Sequence, residues 1–240
     1  MRLKLNLMPR VVVLSGAGMS AESGLSTFRG AGGLWEGHDI MEVASPVGWR
    51  KDPELVLSFY NQRRRQLLQV QPNAAHYRLA EFERKSDIEV NIITQNVDNL
   101  HERAGSSNVL HLHGELLKVR STTNEDLVYD WKKDIHMGDL CESGSQLRPH
   151  VVWFGEAVPM IPKAAEIVQK ADAMIVVGTS LQVYPAASLI EFLQARKSLY
   201  YIDPQPSDKV RGIPQSQVHT FATSATEGIP IVLKALSKQF

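Results

Sequence analysis

The sequence predicts an α/β protein with a doubly wound parallel, Rossmann-like sheet and a smaller lobe built from two insertions. Short apolar runs of strand type alternate with helical patterns along most of the chain, which is typical of a parallel sheet covered by helices. A glycine-rich turn follows the first apolar run directly. Two long stretches, 30–70 and 116–149, break the alternation, and both are too long for simple connections in a compact sheet.

The first predicted strand is 11–14, a continuous run of valine and leucine that suits a strand buried on both faces of a sheet. Similar runs predict the other strands: 90–94, 151–154, 174–177, 199–202 and 218–221. The helical patterns between and after them cover 53–69, 73–85, 162–170, 185–196 and 226–238. Strand and helix therefore alternate as in a doubly wound sheet.

The two long stretches predict how the chain divides. We expect a single domain over 1–240, with a large Rossmann-like lobe from residues 9–30, 71–115 and 150–240 and a small lobe from 31–70 and 116–149. A cleft between the small lobe and the sheet is the expected ligand site, because open α/β sheets bind ligands outside the carboxyl ends of their strands.

Composition and charge exclude several classes of protein. The 240 residues include 26 basic and 26 acidic ones, so binding by bulk attraction to nucleic acid or to anionic lipid has no support. The only cysteine, Cys141, excludes an internal disulfide framework and a cysteine-rich zinc site within one chain. No apolar run approaches the ~20 residues of a membrane span, and the first residues do not form a convincing signal peptide. We therefore expect a cytoplasmic, monomeric protein with no nucleic-acid or membrane partner.

The turn after the first strand fits a dinucleotide fingerprint formed by Gly16, Gly18 and Ala21. In that motif the first glycine allows a tight turn, and the second lets backbone N–H groups approach a pyrophosphate at a helix N-terminus. The alternative is a plain glycine turn that leaves a strand. The nearby glycines favour the nucleotide site: Gly24, Gly30 and Gly32.

Polar residues also follow three other predicted strands, at 95–98, 178–180 and 203–204. Each segment alone is compatible with a helix cap or a turn. Together they predict a ligand-binding edge, because the carboxyl ends of parallel strands lie at one edge of the sheet.

The segment 110–114 alternates apolar and polar residues, so His111 and His113 are expected on one face of an extended segment. A hydrogen-bonded core histidine is the common alternative to a catalytic one. The adjacent Gly114 and the nearby ligand edge favour exposure to a cleft, where an imidazole acts as a base near neutral pH. A metal-binding pair is less favoured, because no acidic or cysteine partner stands at ligand spacing.

Several motifs in family order resemble those of a sirtuin, and they cover nearly the whole chain. They are GAGMSAESG at 16–24, TFRG at 27–30, TQNVDNLH at 94–101, HG at 113–114, VWFGE at 152–156 and VGTSL at 177–181. The most similar branch is class III, whose members remove succinyl and malonyl groups from lysine.

The resemblance implies NAD as the cofactor and acyl-lysine proteins or peptides as partners. The reaction would be NAD-dependent deacylation of lysine, which yields nicotinamide, free lysine and O-acyl-ADP-ribose. His113 would be the catalytic base, with Asn96 and Asp98 as the other catalytic residues. The implied cofactor-binding positions are Gly16, Ala17, Gly18, Glu22, Thr27, Phe28, Arg29, Trp35, Gln95, Asn96, Asp98, Gly178, Thr179, Ser180, Asp203 and Ala225. The implied substrate-binding positions are Ala44, Tyr60, Arg63, Val152, Phe154, Gly155, Glu156, Val183 and Tyr184.

The class III assignment depends on Tyr60, Arg63 and Ala44. Tyr60 and Arg63 are three residues apart and share one face of a helix, where a hydroxyl and a guanidinium suit a carboxylate at the end of an acyl chain. Ala44 stands where the class III pattern has a small residue that leaves room for longer acyl groups. The alternative for the first two is a solvated basic face with a tyrosine at its rim. The segments around Phe154 and Tyr184 would hold the substrate peptide as an added strand.

The small lobe departs from the family pattern, which has two Cys-x-x-Cys pairs that bind structural zinc. The corresponding positions are Ser121, Asn124, Leu140 and Ser143, and Cys141 is one place out of register. Because no thiolate is present at these positions, a tetrahedral zinc site of this kind cannot form, and no metal is predicted. A satellite apolar core is expected instead, from Leu116, Leu117, Val119, Leu127, Val128, Tyr129, Trp131, Ile135, Leu140 and Leu147. Asp203 stands where the family usually has asparagine, and its carboxylate still accepts hydrogen bonds from ribose hydroxyls.

Three alternative functions remain at this point. One is an enzyme that acts mainly on acetyl-lysine. The second is a mono-ADP-ribosyltransferase on the same fold, and the third is a non-catalytic NAD sensor. Retention of His113, Asn96 and Asp98 together argues against the sensor, because a protein that only binds NAD has no need of a base.

Overall fold

The structure is a computed structural model that describes residues 8–26, 34–35, 37–207 and 209–240. Its strands, in chain order, are β1 (Arg10–Ser15), β2 (Leu34–Trp35), β3 (His38–Asp39), β4 (Glu89–Thr94), β5 (Val109–His111), β6 (Gly114–Ser121), β7 (Val128–Asp130), β8 (Leu147–Val151), β9 (Ala173–Val177), β10 (Ser198–Ile202) and β11 (Val218–Phe221). Its α-helices are α1 (Gly18–Ala21), α2 (Ile40–Val43), α3 (Pro46–Lys51), α4 (Pro53–Gln69), α5 (Ala74–Lys85), α6 (Leu100–Ala104), α7 (Ile161–Gln169) and α8 (Ala225–Gln239). Two short 3-10 helices cover Ala186–Phe192 and Gln215–Gln217.

Six of these strands form one parallel sheet in the order β11-β10-β9-β1-β4-β5. This arrangement places the first strand beside β9 on one side and β4 on the other, as in a Rossmann-like sheet. The prediction of a doubly wound α/β fold is therefore confirmed. The order reverses between β1 and β9, so the crevice that binds ligands in such sheets is expected at their carboxyl ends.

The sheet is buried on both faces because its strands alternate apolar side chains toward two separate layers. Val11 and Val13 belong to a cluster with residues of α5 and α8, and Val12 and Leu14 belong to a cluster with residues of α7 and the 3-10 helix Ala186–Phe192. Strands of this kind consist of continuous apolar residues. This burial on both faces explains the uninterrupted apolar runs at 11–14 and 174–177.

Most predicted helices are confirmed within one or two residues. α4 coincides with the predicted 53–69. α5 begins after Asn73, whose side chain caps the helix and forms a capping box with His76. The helix predicted at 185–196 is shorter and is a 3-10 helix over Ala186–Phe192.

The strand predicted at 151–154 is wrong in both extent and sheet. The strand is β8, Leu147–Val151, and it pairs antiparallel with β6 in a three-stranded sheet ordered β7-β6-β8. Beyond Val151 the chain leaves this sheet. The N–H of Val152 donates to the His113 carbonyl at 2.9 Å and that of Phe154 to the Ala44 carbonyl at 2.9 Å. The apolar run 151–154 therefore belongs partly to the end of β8 and partly to the segment after it. Its amino-acid composition does not show where the strand ends.

We call α2, α3, α4 and the three-stranded sheet the accessory region. It has two apolar clusters of its own, separate from those of the parallel sheet. Asn61 of α4 joins its two sequence segments, because its Nδ2 donates to the Ile135 carbonyl at 2.8 Å and its Oδ1 accepts from the Ile135 N–H at 2.9 Å. Arg64 adds a bond from Nε to the Leu116 carbonyl at 3.0 Å. The exact lobe boundaries expected from the sequence stay a prediction.

Three of the four positions that correspond to the zinc cysteines, Ser121, Asn124 and Ser143, form a hydrogen-bonded cluster with Cys141. Ser121 Oγ accepts from the N–H groups of Thr123 and Asn124 at 3.2 and 3.3 Å and from Cys141 Sγ at 3.4 Å. Cys141 Sγ lies 3.0 Å from Ser143 Oγ. Within the described ranges, no group of three or more His, Cys, Asp or Glu side chains is arranged to hold a metal ion. The residues present therefore do not fit a thiolate-bound zinc.

Beneath this cluster lies the expected satellite core. Val119, Ile135 and Leu147 are buried together with Cys141 and with Leu57 of α4, whereas Leu116 and Leu117 pack in the cluster around Tyr60. The inclusion of Leu140 and Val128 is wrong, because both are exposed. In the part of the chain that the structure describes, no helix has the length and apolar character needed to cross a membrane.

Candidate active site

A cleft of about 600 Å³ opens at the carboxyl ends of the parallel strands and extends to the accessory region. Every predicted site residue that the structure describes lies on its wall. From the sheet side these are Gly16, Ala17, Gly18, Glu22, Gln95, Asn96, Asp98, His113, Gly178, Thr179, Ser180, Val183, Tyr184, Asp203 and Ala225, and from the accessory region and the segments beside it Trp35, Ala44, Tyr60, Arg63, Val152, Phe154, Gly155 and Glu156. The predicted positions Thr27, Phe28 and Arg29 lie outside the described residues.

The glycines at the switch point allow two loops to approach each other. A Cβ on Gly178 would lie 2.2 Å from the Met19 nitrogen, and Gly178 has a φ of +63°. A Cβ on Gly18 would lie 2.7 Å from the Gly178 Cα. The N–H groups of Gly16 and Gly18 donate to the carbonyls of Val177 and Gly178, at 3.0 and 2.8 Å. The glycines thus allow the loops after β1 and β9 to pack together at the cleft wall.

Glu22 and Ser224 line the cleft beside these glycine-rich loops. The Glu22 carboxylate accepts from the Ser224 hydroxyl at 3.1 Å and from the N–H and hydroxyl of Thr226 at 3.0 and 2.6 Å. Burial raises the pKa of Glu22, but these hydrogen bonds outweigh it and hold the pKa below its ordinary value. The contact ties the loop after α1 to the start of α8, next to Ala225.

Asp203 and Gln95 are held by neighbouring loops. Asp203 is buried at the end of β10, and its Oδ1 accepts from the Gln205 N–H at 2.8 Å. Gln95 Nε2 donates to Thr179 Oγ1 at 3.1 Å, which connects the loop after β4 with the loop after β9. The polar segments that follow separate strands in the sequence therefore lie at one edge, as predicted.

Ser20 holds Asn96 and Asp98 in fixed positions. Its hydroxyl donates to Asp98 Oδ2 at 2.9 Å and accepts from Asn96 Nδ2 at 3.2 Å. Asp98 Oδ1 accepts from the Leu100 N–H at 3.0 Å. Burial raises the pKa of Asp98 above its ordinary value, although these hydrogen bonds oppose the shift. Two of the predicted catalytic residues are therefore buried and oriented by a serine from α1.

His113 presents one ring nitrogen to the cleft. Its Nδ1 lies 2.9 Å from the Gln95 carbonyl oxygen, which only accepts, so Nδ1 carries the proton and Nε2 has the lone pair. Within the described part of the chain, Nε2 makes no hydrogen bond. Burial lowers the pKa of His113 below its ordinary 6.5, and the Gln95 contact offsets this only in part. The ring is therefore neutral at pH 7 and available as a base.

The segment 152–156 forms the next part of the wall. Among its N–H groups, only that of Gly155 makes no hydrogen bond to a described residue. Phe154 and Tyr184 are both exposed at the cleft opening. An extended ligand in this position would therefore pair with the Gly155 N–H and with carbonyl groups, between two aromatic side chains.

Glu156 lies on the cleft wall, and its carboxylate is held by neighbouring groups of the protein. Its carboxylate accepts from Arg148 at 2.6 and 3.1 Å, from Arg120 at 3.2 Å and from the Trp153 N–H at 2.8 Å. Burial raises the pKa of Glu156, but Arg148, the Trp153 N–H and Arg120 together lower it below its ordinary value. Because Arg120 and Arg148 are opposite each other on β6 and β8, this ion cluster anchors the segment to the three-stranded sheet.

Tyr60 and Arg63 lie one turn apart on α4, and both face the cleft. Tyr60 is fully buried, and its hydroxyl accepts from Trp153 Nε1 at 3.1 Å. Burial raises the pKa of Tyr60, so the phenol stays protonated. Arg63 is 8% exposed, and its guanidinium stacks 4.3 Å from the centre of the Phe59 ring. The alternative of a solvated basic face is thereby ruled out for Arg63.

Three residues that organise this site were missed in the sequence. Ser20 is part of the glycine-rich motif, but nothing in its pattern indicates a bond to Asp98. Trp153 orients the Tyr60 hydroxyl, and neither the family motif at 152–156 nor the apolar run around it indicates this contact. For Arg148 the one available signal is a charged residue inside a buried strand, which requires a buried partner.

Comparison with known proteins matches residues 16–185 of this chain to the Sir2 family model. A NAD-dependent protein deacylase of Helicobacter pylori is 60% identical over 217 residues, which covers 88% of this chain and 94% of that protein. A NAD-dependent protein deacylase of Bacteroides thetaiotaomicron is 50% identical over 228 residues, 92% of this chain and 95% of that protein.

Solved structures give the same result. A crystal structure of a Sir2 homologue with NAD is 39% identical and covers 96% of this chain and 90% of that chain, with a TM-score of 0.83. A Sir2 protein bound to an acetylated peptide is 29% identical and covers 95% of this chain and 93% of that chain, with a TM-score of 0.77.

Proposed function

The chain belongs to the Sir2 family, and on that premise we propose that this NAD-dependent protein deacylase removes succinyl or malonyl groups from lysine side chains. Its partners are acyl-lysine proteins or peptides, and its products are nicotinamide, free lysine and O-acyl-ADP-ribose. We further propose that one catalytic domain spans the chain, as a monomer. The observation on which the acyl preference depends is the buried pair Tyr60 and Arg63 on the cleft wall.

The sheet side of the cleft fits NAD. Gly16, Gly18 and Gly178 allow the loops after β1 and β9 to meet at the cleft wall, and a glycine-rich turn of this kind after the first strand is where a pyrophosphate binds in dinucleotide-binding sheets. Asp203, at the end of β10, has a carboxylate suited to ribose hydroxyls. When bound, NAD supplies the ribose carbon that takes up the acyl oxygen, with nicotinamide as the leaving group.

His113 provides the base for this reaction. Its neutral ring has a free lone pair on Nε2, and its Nδ1–H is fixed by the Gln95 carbonyl, so the tautomer is set before any ligand binds. With NAD bound, His113 would accept the proton of the ribose hydroxyl that receives the acyl group. Asn96 and Asp98, both oriented by Ser20, hold the ribose and the carboxamide end of the cofactor beside it.

Tyr60 and Arg63 select the acyl group. A guanidinium that is 8% exposed gains strongly from a carboxylate at hydrogen-bonding distance, because little water competes for either charge. An acetyl group has no carboxylate and leaves the cation without that contact. Ala44 leaves space for the longer chain, and Glu156 acts indirectly by fixing the segment 152–156.

The test is a matched set of acetyl-, malonyl-, succinyl- and glutaryl-lysine peptides with purified protein and NAD. We expect kcat/KM for succinyl-lysine to exceed that for acetyl-lysine by at least about tenfold. Arg63→Met and Tyr60→Phe should raise the KM for succinyl-lysine by about 10- to 100-fold and leave that for acetyl-lysine nearly unchanged.

Arg65→Met is the matched control, because Arg65 lies on the same helix but is exposed and pairs with Asp134. It should leave both substrates unaffected. An equal loss on both peptides in Arg63→Met would mean that Arg63 is structural.

An enzyme that acts mainly on acetyl-lysine is the second candidate, and the related Sir2 protein bound to an acetylated peptide favours it. The same peptide set separates the two by the ratio of kcat/KM values. Mass spectrometry of the products separates O-acyl-ADP-ribose from ADP-ribosylated protein. Tight NAD binding with no turnover on any peptide would indicate a sensor.

A further inference from the structure

His111 and His113 lie two residues apart, and each ring contacts a main-chain carbonyl of the same loop. His113 Nδ1 lies 2.9 Å from the Gln95 carbonyl oxygen, and His111 Nδ1 lies 3.0 Å from the Asn96 carbonyl oxygen. The two rings therefore hold consecutive peptide units of the segment 95–98, which lines the cleft. Of the two histidines, His113 reaches the cleft wall.

The two histidines differ at their second nitrogen. His113 Nε2 faces the cleft, as described above. His111 Nε2 lies 2.7 Å from Glu102 Oε1, on the helix α6 that follows the loop. The His111 side chain is 9% exposed and that of Glu102 is 38% exposed. His111 thus connects the end of β5, the loop after β4 and α6.

These two contacts determine the charge of His111. A carbonyl oxygen and a carboxylate oxygen only accept hydrogen bonds, and a neutral imidazole has a single N–H. Only the imidazolium donates to both. A neutral ring would place a nitrogen lone pair against an acceptor oxygen in a largely buried position, which is unfavourable.

The surroundings of the ring favour the same state. Burial lowers the pKa of His111, but the hydrogen bond and the charge of Glu102 outweigh it, so the pKa is raised above the ordinary 6.5. Glu115 of β6 and Asp98 of the loop add negative charge nearby. His101 of α6 adds no positive charge at neutral pH, because burial lowers its pKa well below 6.5. The positive charge of His111 in turn favours the ionised form of Asp98.

We propose that His111 is a positioning residue whose imidazolium, held between Glu102 and the Asn96 carbonyl, fixes the loop that presents Gln95, Asn96 and Asp98 to NAD. This inference rests on the proposed function, since that assigns the loop to the NAD site. After loss of one proton, the single remaining N–H of His111 bonds to the Glu102 carboxylate, which is the stronger acceptor, and the Asn96 carbonyl loses its donor. NAD use therefore falls as pH rises through the pKa of His111. It also falls on the acid side, because His113 becomes protonated there and can no longer accept a proton.

The first test is independent of activity and uses ring ¹⁵N NMR of the ligand-free protein across pH 5.5–9.5. At pH 7 we expect both nitrogens of His111 to be protonated and His113 to be neutral with its proton on Nδ1. Glu102→Gln removes the charge but keeps an acceptor, and it should lower the pKa of His111 by about 1 unit or more. A neutral His111 at pH 7, or no shift in Glu102→Gln, would overturn the inference.

The second test is the pH profile of kcat/KM for NAD. His111→Gln should lower this value about tenfold or more at pH 7 and remove its decline on the alkaline side, with the acid side unchanged. Glu102→Gln, a change at a partly exposed side chain that leaves the fold intact, should move the alkaline decline to lower pH. Wild-type profiles in both variants would contradict the proposal.

His219→Gln is the matched control, since His219 is exposed on β11 and stacks on Tyr200 away from the cleft. It should match the wild type at every pH. If the wild type turned over no acyl-lysine peptide, the proposed function would fail. Ring protonation, together with NAD affinity of His111→Gln measured by calorimetry, would still decide the role of His111.

Discussion

The two parts of the cleft that we assign to NAD, the nucleotide half, and to the acyl group, the acyl half, are built in opposite ways. In the nucleotide half, loops after neighbouring parallel strands meet through backbone atoms, with Gly18 and Gly178 in close approach. In the acyl half, large buried side chains of separate segments contact each other, such as Tyr60 with Trp153 and Arg148 with Glu156. The contact between the two loops requires glycines without side chains, whereas the contacts in the acyl half are made by large side chains.

This difference has consequences for specificity. Backbone packing around glycines tolerates almost no substitution, so the nucleotide half suits a cofactor that does not vary. Side-chain packing in the acyl half can change one group at a time, so under the proposed function we expect a change at Arg63 to alter the acyl preference. His113 lies where the halves meet, because its own carbonyl accepts from Val152 while its ring contacts Gln95.

The largest expected effect is on kcat and follows from removal of the His113 imidazole. His113→Ala should lower kcat by about 10²- to 10⁴-fold, because the base is lost, and should leave NAD affinity within about threefold. In the wild type the lowered pKa of His113 keeps the base neutral at pH 7, so activity is lost only as pH falls below 6.5 through the pKa of the folded state. Steady-state kinetics over pH 5–8 and calorimetry with NAD measure both. If the variant kept its activity and lost NAD affinity, His113 would be a cofactor-binding residue and not the base.

A smaller effect tests the close approach of backbones in the nucleotide half. Gly178→Ala places a Cβ 2.2 Å from the Met19 nitrogen at a φ of +63°. We expect it to destabilise the protein by about 2–5 kcal/mol, from backbone strain and overpacking together. Thermal unfolding measures the change.

Gly138→Ala is the matched control, because Gly138 has a φ of +94° and a Cβ added there would meet no described atom within 4 Å. It should cost only about 1–2 kcal/mol, from strain alone. Equal losses in the two variants would mean that close contact between the loops contributes nothing.

The smallest expected effect concerns the accessory region. Excess chelator should leave the midpoint of thermal unfolding unchanged within about 1 °C, because Ser121, Cys141 and Ser143 bond to one another over an apolar cluster and no thiolate set is available for zinc. Elemental analysis should find no stoichiometric zinc. One tightly bound equivalent per chain would show that the accessory region depends on a metal after all.

The sequence predicts the loops of the nucleotide half, but it does not predict the burial of the acyl half. The loops at 16–18, 95–98 and 178–180 are predictable, because each follows an apolar strand directly and parallel strands bring such ends to one edge. The helical spacing of Tyr60 and Arg63 predicts a shared face, but whether that face is buried depends on the packing of distant segments. The strand predicted at 151–154 is wrong for the same reason, since its run continues from β8 into the cleft wall.

By itself the sequence determined the Rossmann-like sheet, the glycine-rich turn after its first strand and the histidine beside the cleft. Each of these depends on residues that are near one another in the chain. Only the tertiary structure decided that Ser20 orients Asp98, that two arginines fix Glu156, and that the His111 ring lies between two acceptors whereas the His113 ring contacts one acceptor and the cleft. Those properties arise from burial and from hydrogen-bond partners supplied by distant segments. Local patterns do not record which donor will meet which acceptor once the chain has folded.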